Sequence, residues 1–246
     1  MQNATAIALS RLTAQERAMD VTAVNIANAS TPGYRGERMA FSDWLVKQTA
    51  PGLPPGSSPI AYTQDRATYR DPRQGTLTHT GNPLDLAIGS DGFFTVQAPN
   101  GPRLTRAGHF ELSPTGSIVD EQGNALLDTN GQPLQLTPAD TEISIAGDGT
   151  LSSENGQIGK IGIVAPVDAQ AMQAEGDRLF AASGPTQPVT APKLTQGAIE
   201  GSNVEPTLEL TRMMNGMRQF QFITQLVQAE SDRQQSAIEK LGTKPT

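Results

Sequence analysis

The side chains with the widest chemical range in this chain are two histidines, His79 and His109. An imidazole can move a proton near neutral pH or ligate a metal, but neither has a neighbour at ligand spacing. Both read as solvated or hydrogen-bonded residues. The sequence contains no His-Glu-x-x-His, no Gly-x-Ser-x-Gly and no phosphate-cradling loop. Asp128-Thr129-Asn130-Gly131 begins like a calcium loop. Such a loop needs Gly at its sixth position and Glu at its twelfth, and Pro133 occupies the sixth here. A β-turn fits better. The carboxylates are scattered, and no pair suited to acid–base work stands out. Asp85, between Leu84 and Leu86 in an alternating run, is expected to face solvent. Asp20, Glu37, Glu230, Asp232 and Glu239 read as a wetted face. The expectation is a protein with no catalytic residue, no cofactor and no metal.

Composition narrows the class further. The 246 residues include no Cys, which excludes disulfides, thiolate metal sites and cysteine nucleophiles. A formal net charge of -7 argues against nucleic acid or an anionic membrane as partner. Aromatic residues make up only 4%, too few for a rich aromatic binding site. No apolar run reaches the roughly 18 residues of a spanning helix, so direct membrane insertion is not expected. The start, Met-Gln-Asn-Ala-Thr-Ala-Ile, lacks a basic region, and Arg11 interrupts the apolar stretch. It does not read as a cleaved secretory signal.

The elements that must position any site differ between the ends and the middle. Residues 2–28 read as one helix with a stripe at Ala8, Leu12, Met19, Ala23 and Ile26, stopped by Ala29-Ser30-Thr31-Pro32-Gly33. Its many alanines, Ala4 and Ala6 among them, would permit close multi-helix packing. Near the other end, Ser202 and Glu205 are spaced as a capping box, with Pro206 suited to a first turn. Beyond them Leu210, Met213, Met217, Phe220, Thr224, Val227, Ser231, Gln234, Ile238 and Leu241 alternate gaps of three and four, a heptad seam widened by Ile223 and Leu226. A helix that long wants a partner helix. The first helix of the same chain and a neighbouring subunit both remain open, and the two are compatible.

Between the helices, residues 34–74 look like an extended linker. Met39, Phe41, Trp44 and Leu45 suit a short amphipathic turn, and Ala50 to Pro59 is a Pro/Gly-rich loop. Residues 75–201 carry short alternating strands with turn signals about every ten residues, such as Asn100-Gly101 and Asn155-Gly156. The expected fold is α+β. Residues 1–33 and 202–246 form a discontinuous coiled-coil domain, and residues 75–201 form a central all-β sandwich or partly open barrel.

Four blocks in order resemble the flagellar basal-body rod and hook protein family. They are Val24-Asn25-Ile26-Ala27-Asn28-Ala29-Ser30-Thr31-Pro32-Gly33-Tyr34-Arg35, Thr80 to Ile88 through Gly92-Phe93-Phe94, Leu104 to Phe110 with Gly116 to Leu127, and Gly201-Ser202-Asn203-Val204. Met217-Arg218-Gln219-Phe220-Gln221 is similar to the proximal-rod branch rather than the distal-rod or hook branch. The resemblance implies a structural rod subunit that polymerises through its terminal helices. Its partners would be other rod subunits, copies of itself and the flagellar type III export apparatus, which would carry it to the basal body without signal cleavage. Asn25, Asn28, Thr31, Pro32, Gly33 and Tyr34 would then be an assembly motif. Their local alternative is to end the first helix, since Asn suits a left-handed cap. A distal-rod or hook-family axial protein, or a β-sandwich binding module with helical arms, are the rival readings.

Overall fold

The computed structural model describes residues 2–46, 60–176 and 178–242, without the side chains of 2–6, 41–46, 60–67, 238 and 240–242. The chain is α+β, a helix at each end with a strand-rich region between them. It divides into two compact units. One comprises Met1–Ala27, Glu37–Arg70 and Glu205–Thr246, the other Asn28–Gly36 and Asp71–Val204.

The first unit holds helix α1 (Gln2–Ala27), strands β1 (Glu37–Val46) and β2 (Ile60–Arg70), and helix α2 (Pro206–Gly242). At 1.5 Å per residue, the 37 residues of α2 extend roughly 55 Å. α1 packs on both α2 and the hairpin. The expected linker over 34–74 is therefore corrected: β1 and β2 pair antiparallel from Glu37↔Arg70 to Val46↔Ile60, with a bulge after Ala40. The sequence Ile60-Ala61-Tyr62-Thr63 to Thr68-Tyr69 is rich in residues that favour a pleated surface. Met39, Phe41, Trp44 and Leu45 belong to strand β1 instead of a turn. The Pro/Gly-rich loop from Ala50 to Pro59 that prompted the linker reading lies outside the described residues. The expected capping box does not form either. Ser202 Oγ accepts from the Val204 N–H at 3.2 Å, and α2 starts three residues later than that cap requires. Pro206 sets the start, because a Pro at the first helical position lacks an N–H that would have no intrahelical partner there.

The second unit is built from short antiparallel strands. Its largest sheet centres on Phe93–Ala98, which pairs with Gly101–Thr105, Ala125–Leu126 and Ile163–Pro166. Ile143–Ile145, Thr150–Ser153 and Gly156–Lys160 form a separate three-stranded sheet. The chain closes the unit by returning at its end: Leu194–Gln196 pairs with Leu86–Ile88, and Ala198–Glu200 with Leu77–His79. Phe94 and Phe110 meet edge to face at 5.3 Å in a core with Leu86, Ile88, Leu126 and Leu151. Phe93, Phe180 and Met172 make a smaller cluster.

One turn of this unit is tuned by a carboxylate. Glu154 accepts from the Thr141 hydroxyl at 2.7 Å and from the Thr141 and Glu142 N–H groups at 2.8 and 3.0 Å. These bonds, the hydroxyl first, lower its pKa from 4.5 to about 2. A depressed carboxylate contributes stability above its unfolded pKa and loses it as pH falls through the folded one. Urea unfolding midpoints should therefore fall between pH 4.5 and about 2, and Glu154→Gln should flatten part of that slope. An unchanged slope in the variant would show that these bonds do not form.

Candidate assembly site

The family-like motif after α1 is divided between the two units. Asn25 belongs to the first unit and is inside α1, not at its end, so the helix-ending role expected of it is corrected. Its side chain is 1% exposed and exchanges two hydrogen bonds of 2.8 Å with the Glu37 backbone, matching the N–H and C=O that open β1. A side-chain amide offers the same donor and acceptor as a peptide group, which is why Asn suits this position. Asn28 to Tyr34 belong to the second unit. Asn28 accepts from the Thr31 N–H at 3.1 Å through its carbonyl and from the Thr31 hydroxyl at 3.2 Å through its side chain. Tyr34 N–H donates to the Thr31 carbonyl. Pro32 leads into Gly33, whose φ of 71° places its α-carbon against the next segment. A Cβ there would stand 2.5 Å from the Ala107 nitrogen, so only Gly fits.

Within the second unit, three passes of the chain meet beside this motif. Asn203 accepts from the Gly36 N–H at 2.8 Å and donates to the Asp71 and Arg73 carbonyls at 3.2 and 2.8 Å. Gly33 N–H donates to the Glu200 carbonyl at 2.8 Å. The Glu200 side chain, 1% exposed, accepts from Arg106 Nε at 2.5 Å and from the Gly75 N–H at 3.2 Å. Arg106 also donates to the carbonyls of Ile88, Ser90 and Gly92. Arg35 lies 3.8 Å from Glu200 and stacks over the Phe93 ring. Burial, then repulsion from Arg106, lowers its pKa. Gly75 and Gly201 touch so closely that a Cβ on Gly75 would sit 1.9 Å from the Gly201 oxygen.

The terminal helices give a second candidate. The less exposed positions of α2 run Glu209, Met213, Gly216, Phe220, Ile223 and Val227. Met213, Phe220 and Val227 are thus shared with the expected seam. Leu210 and Met217 are not: they are 49% and 45% exposed, one residue away from the inner line. The physical reason is Gly216. Lacking a side chain, it lets α1 approach until a Cβ would meet Gln15 Nε2 at 2.8 Å and Met19 Cγ at 3.2 Å. That contact turns the seam toward 209 and 216. The side chains of Ile238 and Leu241 lie outside the described residues. At the head of α2, buried Glu209 accepts from Arg38 Nη1 and Arg212 Nη1, each at 2.5 Å, and its second oxygen has no hydrogen-bond partner among the described residues. The pair fastens α2 to β1.

Little of the remaining polar chemistry points to a reaction. Asp85 is 3% exposed and accepts from Thr80 Oγ1 at 2.5 Å and Asn82 Nδ2 at 3.0 Å, so its expected solvent-facing position is corrected. His109 Nδ1 is 2.6 Å from the same carboxylate. This resembles the base-orienting half of a catalytic triad, yet Nε2 faces the Glu111 carboxylate at 3.7 Å, where a nucleophile would have to stand. Asp128 accepts from the Asn130 and Gln132 N–H groups within its own turn. Burial opposes its charge, and these bonds outweigh burial to lower its pKa. Among the described residues no three His, Asp or Glu side chains converge to hold a metal. No described helix is long and apolar enough to cross a membrane.

The helix pairing has a direct test. Gly216→Val should lower the thermal midpoint of the helical signal, at a cost of about 1–3 kcal/mol for overpacking. Gly216→Ala should be close to neutral, because the helix-propensity gain of about 1 kcal/mol offsets a small shift of the flexible Gln15 and Met19 ends. A Val variant as stable as the parent would mean the helices do not meet there.

Three family models match the chain in order. Residues 6–35 match the flagella basal body rod protein family. Residues 87–153 match the flagellar hook protein FlgE/F/G D1 domain, and residues 195–240 the flagellar basal body rod FlgEFG protein C-terminal family. The flagellar basal-body rod protein FlgF of Caulobacter vibrioides is 35% identical over 98% of this chain and 99% of its own length. FlgF of Mesorhizobium japonicum is 32% identical over 99% and 100%. FlgG of Bacillus subtilis is 30% identical over 89% and 92%. The motif segment, the strand-rich unit and the long final helix all fall inside these matches, and the chain belongs to the flagellar basal-body rod protein family.

Proposed function

We propose that this chain is a proximal-rod subunit that polymerises through its terminal helices. As a rod-family protein it is a structural component of the flagellar basal body, and it assembles with other rod components. The FlgF relatives, matched nearly end to end, favour the proximal over the distal rod. The observation that carries the assembly role is apolar surface left over on α2. Beside the inner line, Leu210, Met214 and Met217 recur at one-turn spacing, each 45–49% exposed. Two helices need only one seam, and a second stripe calls for a second partner. We read residues 1–33 and 202–246 as the assembly domain, with α1 and α2 as a coiled coil. The strand-rich unit we read as a sandwich or partly open barrel with no catalytic duty. Export by the flagellar type III apparatus, without a cleaved signal, completes the proposal.

The test uses Met217→Asp, since Met217 is exposed in the single chain. The variant should melt within about 0.5 kcal/mol of the parent, as surface substitutions do. In cells it should be produced yet leave bacteria non-motile and without rods. Thr211→Asp, exposed on α2 but off both apolar stripes, should leave motility intact. Normal motility with Met217→Asp would remove α2 from the assembly surface.

A further inference from the structure

Along one flank of their pairing, α1 and α2 leave a groove of about 820 Å³. Ile7, Ala14, Phe222 and Leu226 line it with apolar surface, and Arg11 and Arg218 place two guanidinium groups beside them. Phe222 is 68% exposed and Leu226 56%. Neither arginine has a carboxylate partner among the described residues. An apolar trough with two unmatched cations fits an occupant that is itself apolar and acidic.

The opposite face of α1 has that chemistry. Leu9 is 63% exposed, Val24 49% exposed, and Glu16 and Asp20 are exposed between them without an ion pair among the described residues. At about 100° per residue, Glu16 and Asp20 fall within roughly 20° of Leu9 around the helix. Ile7, Arg11 and Ala14 fall on the far side. We propose that the groove of one copy receives this outer face of α1 from a second copy, Leu9 against Phe222 and Leu226, with Glu16 and Asp20 toward Arg218 and Arg11. The two surfaces differ, so the contact does not close as a twofold dimer and each added copy presents a fresh groove. The inference rests on the reading of this chain as a polymerising subunit and assigns that reading its faces and its polarity.

The chain has no Cys, so introduced thiols are the only ones present. In a Leu9→Cys/Phe222→Cys double variant, oxidation of isolated basal bodies and of the concentrated purified protein should give a ladder of covalent oligomers. Either single variant should give no ladder. Adding Arg218→Glu should cut the cross-linked yield at least tenfold, and adding Glu16→Arg on top should restore most of it. Dimers alone, an internal cross-link alone, or no rescue by the reversed charge would overturn the proposal. Basal bodies that contain the double variant yet yield no ladder would sink the groove contact while leaving the rod reading intact. Absence of the parent chain from basal bodies would sink both.

Discussion

One buried crossing ties together segments of the second unit that are far apart in the chain. Residues 33–36, 71–75 and 200–203 run past each other there, tied by the side chains of Asn203 and Glu200. A buried carboxylate is tolerable only when paired and hydrogen-bonded. Glu200 meets that condition through Arg106 and the Gly75 N–H, and Arg106 in turn by three backbone carbonyls. Removing one member would leave its partner charged and uncompensated, a loss on the order of 3–5 kcal/mol. The constraint is topological as well as energetic. The chain leaves this unit at Gly36 and Val204 and enters it at Asn28 and Asp71, so the four covalent links to the helical unit all start from segments at or next to the crossing. The hydrogen bonds of Asn203 to Gly36, Asp71 and Arg73, and of Glu200 to Gly75, all join residues more than 120 positions apart.

That separation explains what the sequence could not show. The terminal helices were legible because their periodicity is local, and so were the turns, because Asn-Gly and Asp-Gly carry their own backbone preference. Glu200 and Arg106 were not. In a short strand, alternation assigns charged residues to the solvent side, and nothing local distinguishes a charge that meets its opposite from far along the chain. Asp85 misled in the same way: flanked by Leu84 and Leu86, it is held inside by Thr80, Asn82 and His109. The hairpin of β1 and β2 was hidden for a different reason. Its strands flank a Pro/Gly-rich stretch whose composition dominates any short window, so the pairing partners read as one irregular segment.

The long helix shows a finer limit. Gaps of three and four fit two adjacent lines on α2, one through Leu210 and Met217 and one through Glu209 and Gly216. Hydropathy favours the first. Close approach at Gly216 selects the second for contact with α1, and so Leu210 and Met217 stay outside. A helix pair that meets at Gly216 leaves Leu210, Met214 and Met217 for other contacts. That division of labour suits a subunit that assembles with other rod components.

Native-state hydrogen exchange probes the crossing most directly. The Gly33, Gly36 and Gly201 amides donate to the Glu200 carbonyl, the Asn203 side chain and the Thr76 carbonyl. If the crossing holds the unit together, these three amides exchange only when the unit unfolds, with the same protection as the core amide of Leu127. Exchange at the rate of the exposed turns, while Leu127 stays protected, would contradict it.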